Sequence, residues 1–299
     1  MTELKINDLC FGYGRKTIFS DLNFTITDGI TLLLGANGSG KSTLFKLISG
    51  VLRPKKGSID VICDGHKVKN IKNYISYIPQ NFEIFPSLKV YDILTYICGE
   101  RDKSLSKTEI KNQVEFAIEM ADISEYAYKK MRTLSGGTKQ RVGIAQSILG
   151  NPRIIVADEP TAGLDPEQRE RYNRLVFKSA EGRCFLISTH IFDDTQYYEN
   201  IALMSKGNIQ FKGTKEEMIS SISGKIYQLS CESSNYREEK LNDLGLLSIT
   251  EKDGETIIRI YSDVTPNYPE MKIIRAEADL KDAWQYYCKV GKEAECRTV

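Results

Sequence analysis

The stretch GANGSGKST, Gly35 to Thr43, follows the apolar run GITLLL (residues 29–34) and opens into LFKLIS, which reads as a helix. It fits the pattern G-x-x-x-x-G-K-[ST], with Gly35, Gly40, Lys41 and Ser42 in the fixed positions. Glycines at these points let backbone N–H groups wrap around phosphates. A lysine at position 41 reaches the β- and γ-phosphates, and the Ser42 hydroxyl is suited to Mg²⁺. A strand before and a helix after are the context this loop needs. Gly35, Ala36, Asn37, Gly38, Ser39, Gly40, Lys41, Ser42 and Thr43 are therefore expected to cradle a nucleotide.

A second half of such a site is expected at RIIVADEP, residues 153–160. Four apolar residues end in Asp158 and Glu159 at the C-terminal end of a strand, where α/β sheets bind ligands. Asp158 suits a magnesium shell, and Glu159 is placed to accept a proton from an attacking water. Taken alone, the same residues also read as a strand ending in an acidic helix cap. Three further residues carry less information singly. Gln80 follows a strand and Pro79, His190 directly follows the strand CFLIS, and Tyr13 sits in FGYGRK. The stretch LSGGTKQR, residues 134–141, is a second glycine-bearing helix start and hence a second anion site.

The order of these motifs resembles the ATP-binding subunit of ABC transporters, over roughly residues 3–220. LSGG is the most specific element, because other P-loop enzymes such as kinases and GTPases lack it. The resemblance implies that Tyr13 stacks on adenine and that Gln80 senses Mg²⁺ and water. It implies that Leu134, Ser135, Gly136 and Gly137 form the signature, and that Asp158 binds the metal while Glu159 is the catalytic base. It makes Asp165 of AGLD the D-loop aspartate and His190 the switch histidine. ATP and Mg²⁺ are the implied ligands, with Gln80, Lys41, Glu159 and His190 in the chemistry and Ser42, Gln80 and Asp158 on the metal. Two departures are mild: Ala157 precedes Asp158 where a bulkier residue is usual, and the signature continues Thr138-Lys139-Gln140.

The resemblance also implies a head-to-tail dimer with a second copy or a paralogous subunit, each ATP lying between one chain's P-loop and the other's signature. Integral membrane permease subunits are the implied partners, with the chain held at the cytoplasmic face of the membrane through them. The closing segment AEADLKDAWQYYCK is similar to the last helix of exporter ATPases for drugs and lantibiotics. The alternative is a non-transport ATPase of the same type acting on ribosomes or nucleic acid, but no second cassette or long coiled-coil insertion appears.

Composition narrows the remaining possibilities. The 299 residues carry 41 basic and 40 acidic side chains, a formal charge of +1, so nothing global favours nucleic acid, and no nucleic-acid partner is expected. The seven cysteines (10, 63, 98, 184, 231, 288 and 296) form no C-x-x-C pair and suit reduced thiols. No window approaches the roughly 18 apolar residues of a membrane helix, and the first residues show no apolar targeting core.

The expected fold is α/β: a P-loop core with an N-terminal antiparallel β region, an inserted helical subdomain and a small C-terminal α+β unit. LNFTIT and GITLLL read as strands, and a hairpin turns at Asp64-Gly65. Residues from about 81 to 134 read as helical, with a capping box at Ser106 and Glu109. Alternating helices and strands then run from Gly137 to Ser205, including a helix after His190. These patterns place an ATPase domain at 1–222 and an accessory domain at 223–299. Phe82 to Phe85, in the apolar stretch with Ile84, Leu88 and Val90, are expected to line a groove for a helix of a membrane subunit.

Overall fold

The first two strands, β1 (Thr2–Tyr13) and β2 (Lys16–Thr27), pair antiparallel around the turn at Gly14. This computed structural model describes residues 1–80, 82, 85–233 and 245–289; Ile84 and Cys296 lie outside them. After β3 (Gly29–Leu34) and helix α1 (Lys41–Ile48), β4 (Lys56–Cys63) joins the other edge of β1 and β5 (His66–Lys67) adds to β4. The hairpin between them turns as expected, with Asp64 at φ 51° and Gly65 at φ 79°. Two consecutive left-handed residues match the right-handed twist of the flanking strands. The resulting sheet, β2-β1-β4-β5, is the antiparallel region.

A parallel sheet forms the centre of the larger unit. It uses β3, β6 (Ile75–Ile78), β7 (Ile154–Asp158) and β8 (Cys184–Thr189), with β8 between β3 and β7, and β6 beyond β7. Every residue of β7 and β8 is buried. Successive side chains of a strand point to opposite faces, so both faces are covered. The C-terminal ends of these strands are thereby gathered at one edge, where the conspicuous polar residues also lie.

The inserted region contains α2 (Val90–Arg101) and α3 (Lys107–Met120). The α3 cap is the anticipated box: Ser106 Oγ accepts from the Glu109 N–H while Glu109 reaches back to the Ser106 N–H. Arg101 ties this region to the core, donating to the Leu149 carbonyl at 2.7 Å and to Ser76 Oγ at 2.5 Å. Helix α4 (Gly136–Ile148) follows and is buried almost all round, and α5 (Pro166–Ser179) starts from Asp165.

One expectation needs correction. The segment after His190 is a 3₁₀ helix, Phe192–Tyr197, and not an α-helix. Its Asp194 side chain is buried at 2% exposure and bonded to hydroxyls on other segments, which fixes the turn by tertiary contact in place of an amphipathic helical face. Phe82 is core, 3% exposed and packed beside Gly143 of α4. It still lines a cleft of about 640 Å³ beside Gln80, Gly136 and Gln140, while Phe85 and Leu88 are exposed.

Contacts separate a second unit comprising Asn200–Ser205 and the chain from Gln210 onward, while Lys206–Ile209 belongs with Met1–Glu199. The second unit holds β9 (Asn200–Ser205), most of β10 (Asn208–Thr214), α6 (Lys215–Ser220), and the strands β11 (Ile226–Glu232), β12 (Gly245–Lys252), β13 (Glu255–Tyr261) and β14 (Lys272–Arg275). The last four form an antiparallel sheet of order β12-β13-β11-β14. Tyr227, Leu229, Ile258 and Ile260 are its buried core. Helix α7 (Leu280–Lys289) is tied to β13 by a bidentate pair, Arg259 to Asp282, at 2.9 and 2.5 Å.

Candidate active site

The loop between β3 and α1 has the backbone a phosphate cradle requires. Gly38 and Gly40 lie at φ 81° and 113°, conformations that L-residues avoid, and a Cβ on Gly40 would meet the Phe19 ring at 2.9 Å. No side chain caps α1, so its first N–H groups are open to an anion. Ser39 Oγ is buried without a hydrogen-bond partner in the same loop. Lys41 is 4% exposed, and its Nζ donates to the Gly35 carbonyl at 2.7 Å and the Ala36 carbonyl at 3.3 Å. Burial holds its pKa below the usual lysine value, with the nearby Glu159 and Asp158 carboxylates opposing that shift. A polyanion would supply what this buried ammonium lacks, so the residues present fit a nucleotide triphosphate.

Asp158 and Glu159 end β7, and the structure gathers the remaining predicted residues around the second of them. Glu159 Oε2 accepts from Gln80 Nε2 at 3.1 Å and lies 3.0 Å from His190 Nδ1. Its Oε1 lies 3.7 Å from Lys41 Nζ. Three residues, from two strand ends and the P-loop helix, thus converge on one carboxylate that is 12% exposed. Glu159 itself adopts φ 46°, which is uncommon for a non-glycine residue, and its N–H donates to Ser188 Oγ at 2.9 Å. Ser188 Oγ in turn donates to Asp158 Oδ1 at 2.8 Å. Tyr77, on the neighbouring strand, is pushed above its ordinary pKa by burial and by the Asp158 charge.

A cleft of about 480 Å³ is lined by Asn37, Gly38, Gly40, Lys41, Ser42, Thr43, Gln80 and Glu159 together with Tyr13. Tyr13 is 48% exposed and meets Phe11 edge-on, leaving its ring available at the cleft mouth. Ser135, Gly137 and Asp165 line a different cleft, of about 280 Å³, with Thr138, Arg141 and Arg171. There Ser135 caps α4, its Oγ accepting from the Thr138 N–H at 3.2 Å, and Asp165 caps α5 through the Gln168 N–H at 2.8 Å. Leu134 is buried behind them, and Gly136 faces a third cleft with Gln80 and Gln140. The structure therefore brings the P-loop, Gln80, Asp158, Glu159 and His190 together and leaves the signature and Asp165 apart.

Two contributors escape motif reading. Ser188 bonds both acidic residues at the end of β7, and its only trace in the sequence is a serine interrupting an apolar strand two residues before His190. Gln140 donates from Nε2 to the Gln80 carbonyl at 3.0 Å, joining the signature helix to the residue that contacts Glu159.

Comparison with known proteins agrees with this geometry. The family profile described as ABC transporter matches residues 19–162. A putative ABC transporter ATP-binding protein of Pyrococcus furiosus is 33% identical over 219 residues, spanning 70% of this chain and 83% of that one. The chain belongs to the ABC transporter ATP-binding proteins. It is an ATPase subunit of that family, with the family's α/β P-loop fold. The linearmycin resistance ATP-binding protein LnrL of Bacillus subtilis is 29% identical, spanning 74% of this ATPase and 72% of LnrL. Relatives named for import match as well: the spermidine/putrescine import ATP-binding protein PotA of Pasteurella multocida is 30% identical, spanning 72% of this chain and 59% of its own length. Among solved structures, CbiO1 of Clostridium perfringens, part of the ABC transporter complex cbiONQ, superposes with a TM-score of 0.64 at 29% identity, spanning 73% of this ATPase and 90% of CbiO1.

Proposed function

We propose that this ATPase works as a head-to-tail pair with a second copy or close relative, and that the pair drives export through membrane permease subunits. The separation of the signature cleft from the P-loop cleft carries this reading. One chain holds Lys41, Gln80, Glu159 and His190 around one cleft, while Ser135 and Gly137 open elsewhere and serve a nucleotide held by the partner. Ser135 caps the Thr138 N–H, and the N-terminus of α4 offers the other N–H groups of its first turn to the γ-phosphate of that nucleotide. Hydrolysis removes the charge that bridges the pair and so releases it.

Within one cleft, the α1 N-terminus and Lys41 bind the β- and γ-phosphates, and Tyr13 stacks on the base. Gln80 and Glu159 hold the attacking water, and Glu159 takes its proton. His190 Nδ1, already on Glu159, donates toward the charge that develops on the γ-phosphate. Ser42, Gln80 and Asp158 offer oxygen ligands for Mg²⁺, which would neutralise phosphate charge. Among the described residues no three of His, Cys, Asp or Glu converge to form a closed metal site.

Export is supported by the similarity to LnrL and by the closing helix α7, whose sequence is like that of exporter ATPases. No helix among the described residues is long and apolar enough to cross a membrane. In this reading the permease subunits hold the ATPase at the cytoplasmic face. The test is complementation. Lys41→Ala and Ser135→Arg are each expected to abolish hydrolysis. Mixing the two should restore part of it, because a mixed pair contains one intact composite site. A mixture as inactive as its components would refute the shared site.

A further inference from the structure

One buried carboxylate behind the site is used by none of the steps above. Asp194, on the 3₁₀ helix after His190, is 2% exposed. Its Oδ2 accepts from two hydroxyls: Thr161 Oγ1 at 2.8 Å and Thr189 Oγ1 at 2.6 Å. Thr161 lies two residues after Glu159 and Thr189 directly precedes His190, so a single oxygen ties together the two segments that carry the Glu159–His190 contact. Thr189 Oγ1 also accepts from the Ile191 N–H at 3.0 Å, which holds the backbone on the far side of His190.

The arrangement is a poor way to gain stability. Asp194 Oδ1 has no hydrogen bond, and neither does Arg169 Nε, the cation 3.6 Å from it. A buried charge paired at that distance, with one oxygen unsatisfied, does not recover its full desolvation cost. What the carboxylate supplies is geometry. Two short hydrogen bonds converge on one buried oxygen, so both segments are held to a single fixed acceptor.

We propose that Asp194 is a positioning residue for hydrolysis, its Oδ2 clamping Thr161 and Thr189 so that His190 and Glu159 keep their relative placement when nucleotide is bound. The clamp lies outside the nucleotide cleft and touches neither phosphate nor water, so it acts on kcat and not on ATP affinity. The inference rests on Glu159 and His190 acting as proposed above.

The test uses the full-length chain, with ATP affinity read by equilibrium binding and turnover by phosphate release. Asp194→Ala should lower kcat by about tenfold or more, in the range positioning and acid–base groups contribute, with ATP affinity within about threefold. Asp194→Asn should recover most of the loss, because its amide oxygen still accepts from both hydroxyls. Added to His190→Ala, Asp194→Ala should reduce kcat no further, as expected for residues acting as a unit. If Asp194→Ala does not fold, the pair Thr161→Val and Thr189→Val removes the donors instead and should give the same kcat loss and the same non-additivity. Unchanged kcat in a folded clamp variant, or a loss that multiplies with that of His190→Ala, overturns the proposal. If His190→Ala and Glu159→Gln both leave turnover intact, the reading of the site fails first, and that outcome is distinct from failure of the clamp.

Discussion

His190 Nδ1 lies 3.0 Å from Glu159 Oε2, and that same oxygen accepts from Gln80 Nε2 at 3.1 Å. A carboxylate that accepts from Gln80 and lies beside His190 on one oxygen, with Lys41 3.7 Å from the other, has little freedom to move. In the proposed mechanism, phosphate entering the cleft would compete for Lys41 and His190 and free Glu159 to engage water. The first prediction follows from that exchange. Glu159→Gln keeps the shape and loses the base, so turnover should fall by at least about a hundredfold, the scale of a removed general base. ATP should remain bound and the pair closed. Size-exclusion chromatography with ATP and Mg²⁺ reads this directly, and a variant that stays monomeric at saturating nucleotide contradicts the closed pair.

Lys41 gives the site a pH signature. Burial lowers its pKa below the unfolded value. Between those two values the unfolded chain binds the extra proton, so the nucleotide-free protein gains stability as pH rises through the window. Below the window the full penalty of the buried ammonium is present, and above it the penalty is gone. Lys41→Met removes the titrating group, so its stability advantage over wild type should shrink with alkaline pH in denaturant titrations. A gap that does not change with pH would show that Lys41 is not desolvated as described.

The signature cleft should separate binding from turnover. Ser135→Ala removes the α4 cap, worth about 1 kcal/mol, and leaves the P-loop untouched. A Cβ on Gly137 would come within 2.5 Å of Gln168 Oε1, so Gly137→Ala must turn the Gln168 side chain aside at the edge of the same cleft. Both variants should bind ATP as single chains within about twofold of wild type and lose most of their hydrolysis, a pattern of lost transition-state interaction. Loss of single-chain ATP affinity would place these residues in the chain's own site.

Phe85 is 47% exposed, stands at φ 48° and meets Tyr96 of α2 edge-on at 6.0 Å. An aspartate tolerates that backbone better than phenylalanine does, so Phe85→Asp should fold. It should abolish transport in vesicles containing the permease while basal ATP hydrolysis by the isolated chain stays within about twofold. Intact transport would remove this patch from the permease contact.

Much of this molecule is legible in one dimension because its strongest constraints are local. The left-handed turns at Gly38 and Gly40, the hairpin at Asp64-Gly65 and the caps at Ser106, Ser135 and Asp165 each depend on a few consecutive residues. Their spacing marks the P-loop, the acidic strand end and the second anion-binding helix start. Contact across the chain is a different matter. Gln80, Glu159 and His190 meet because the order β3-β8-β7-β6 sets their strand ends side by side. The same packing puts Ser188 beneath both acids, Asp194 behind two loops and Phe82 inside the core. Ser188, Asp194 and Phe82 carry no local signal, since a serine in a strand, an aspartate in a turn and a phenylalanine in a loop are ordinary until packing decides what they touch. LSGGTKQR belongs to both levels. Its residues announce an anion site, but only the fold shows that this site opens away from the chain's own P-loop.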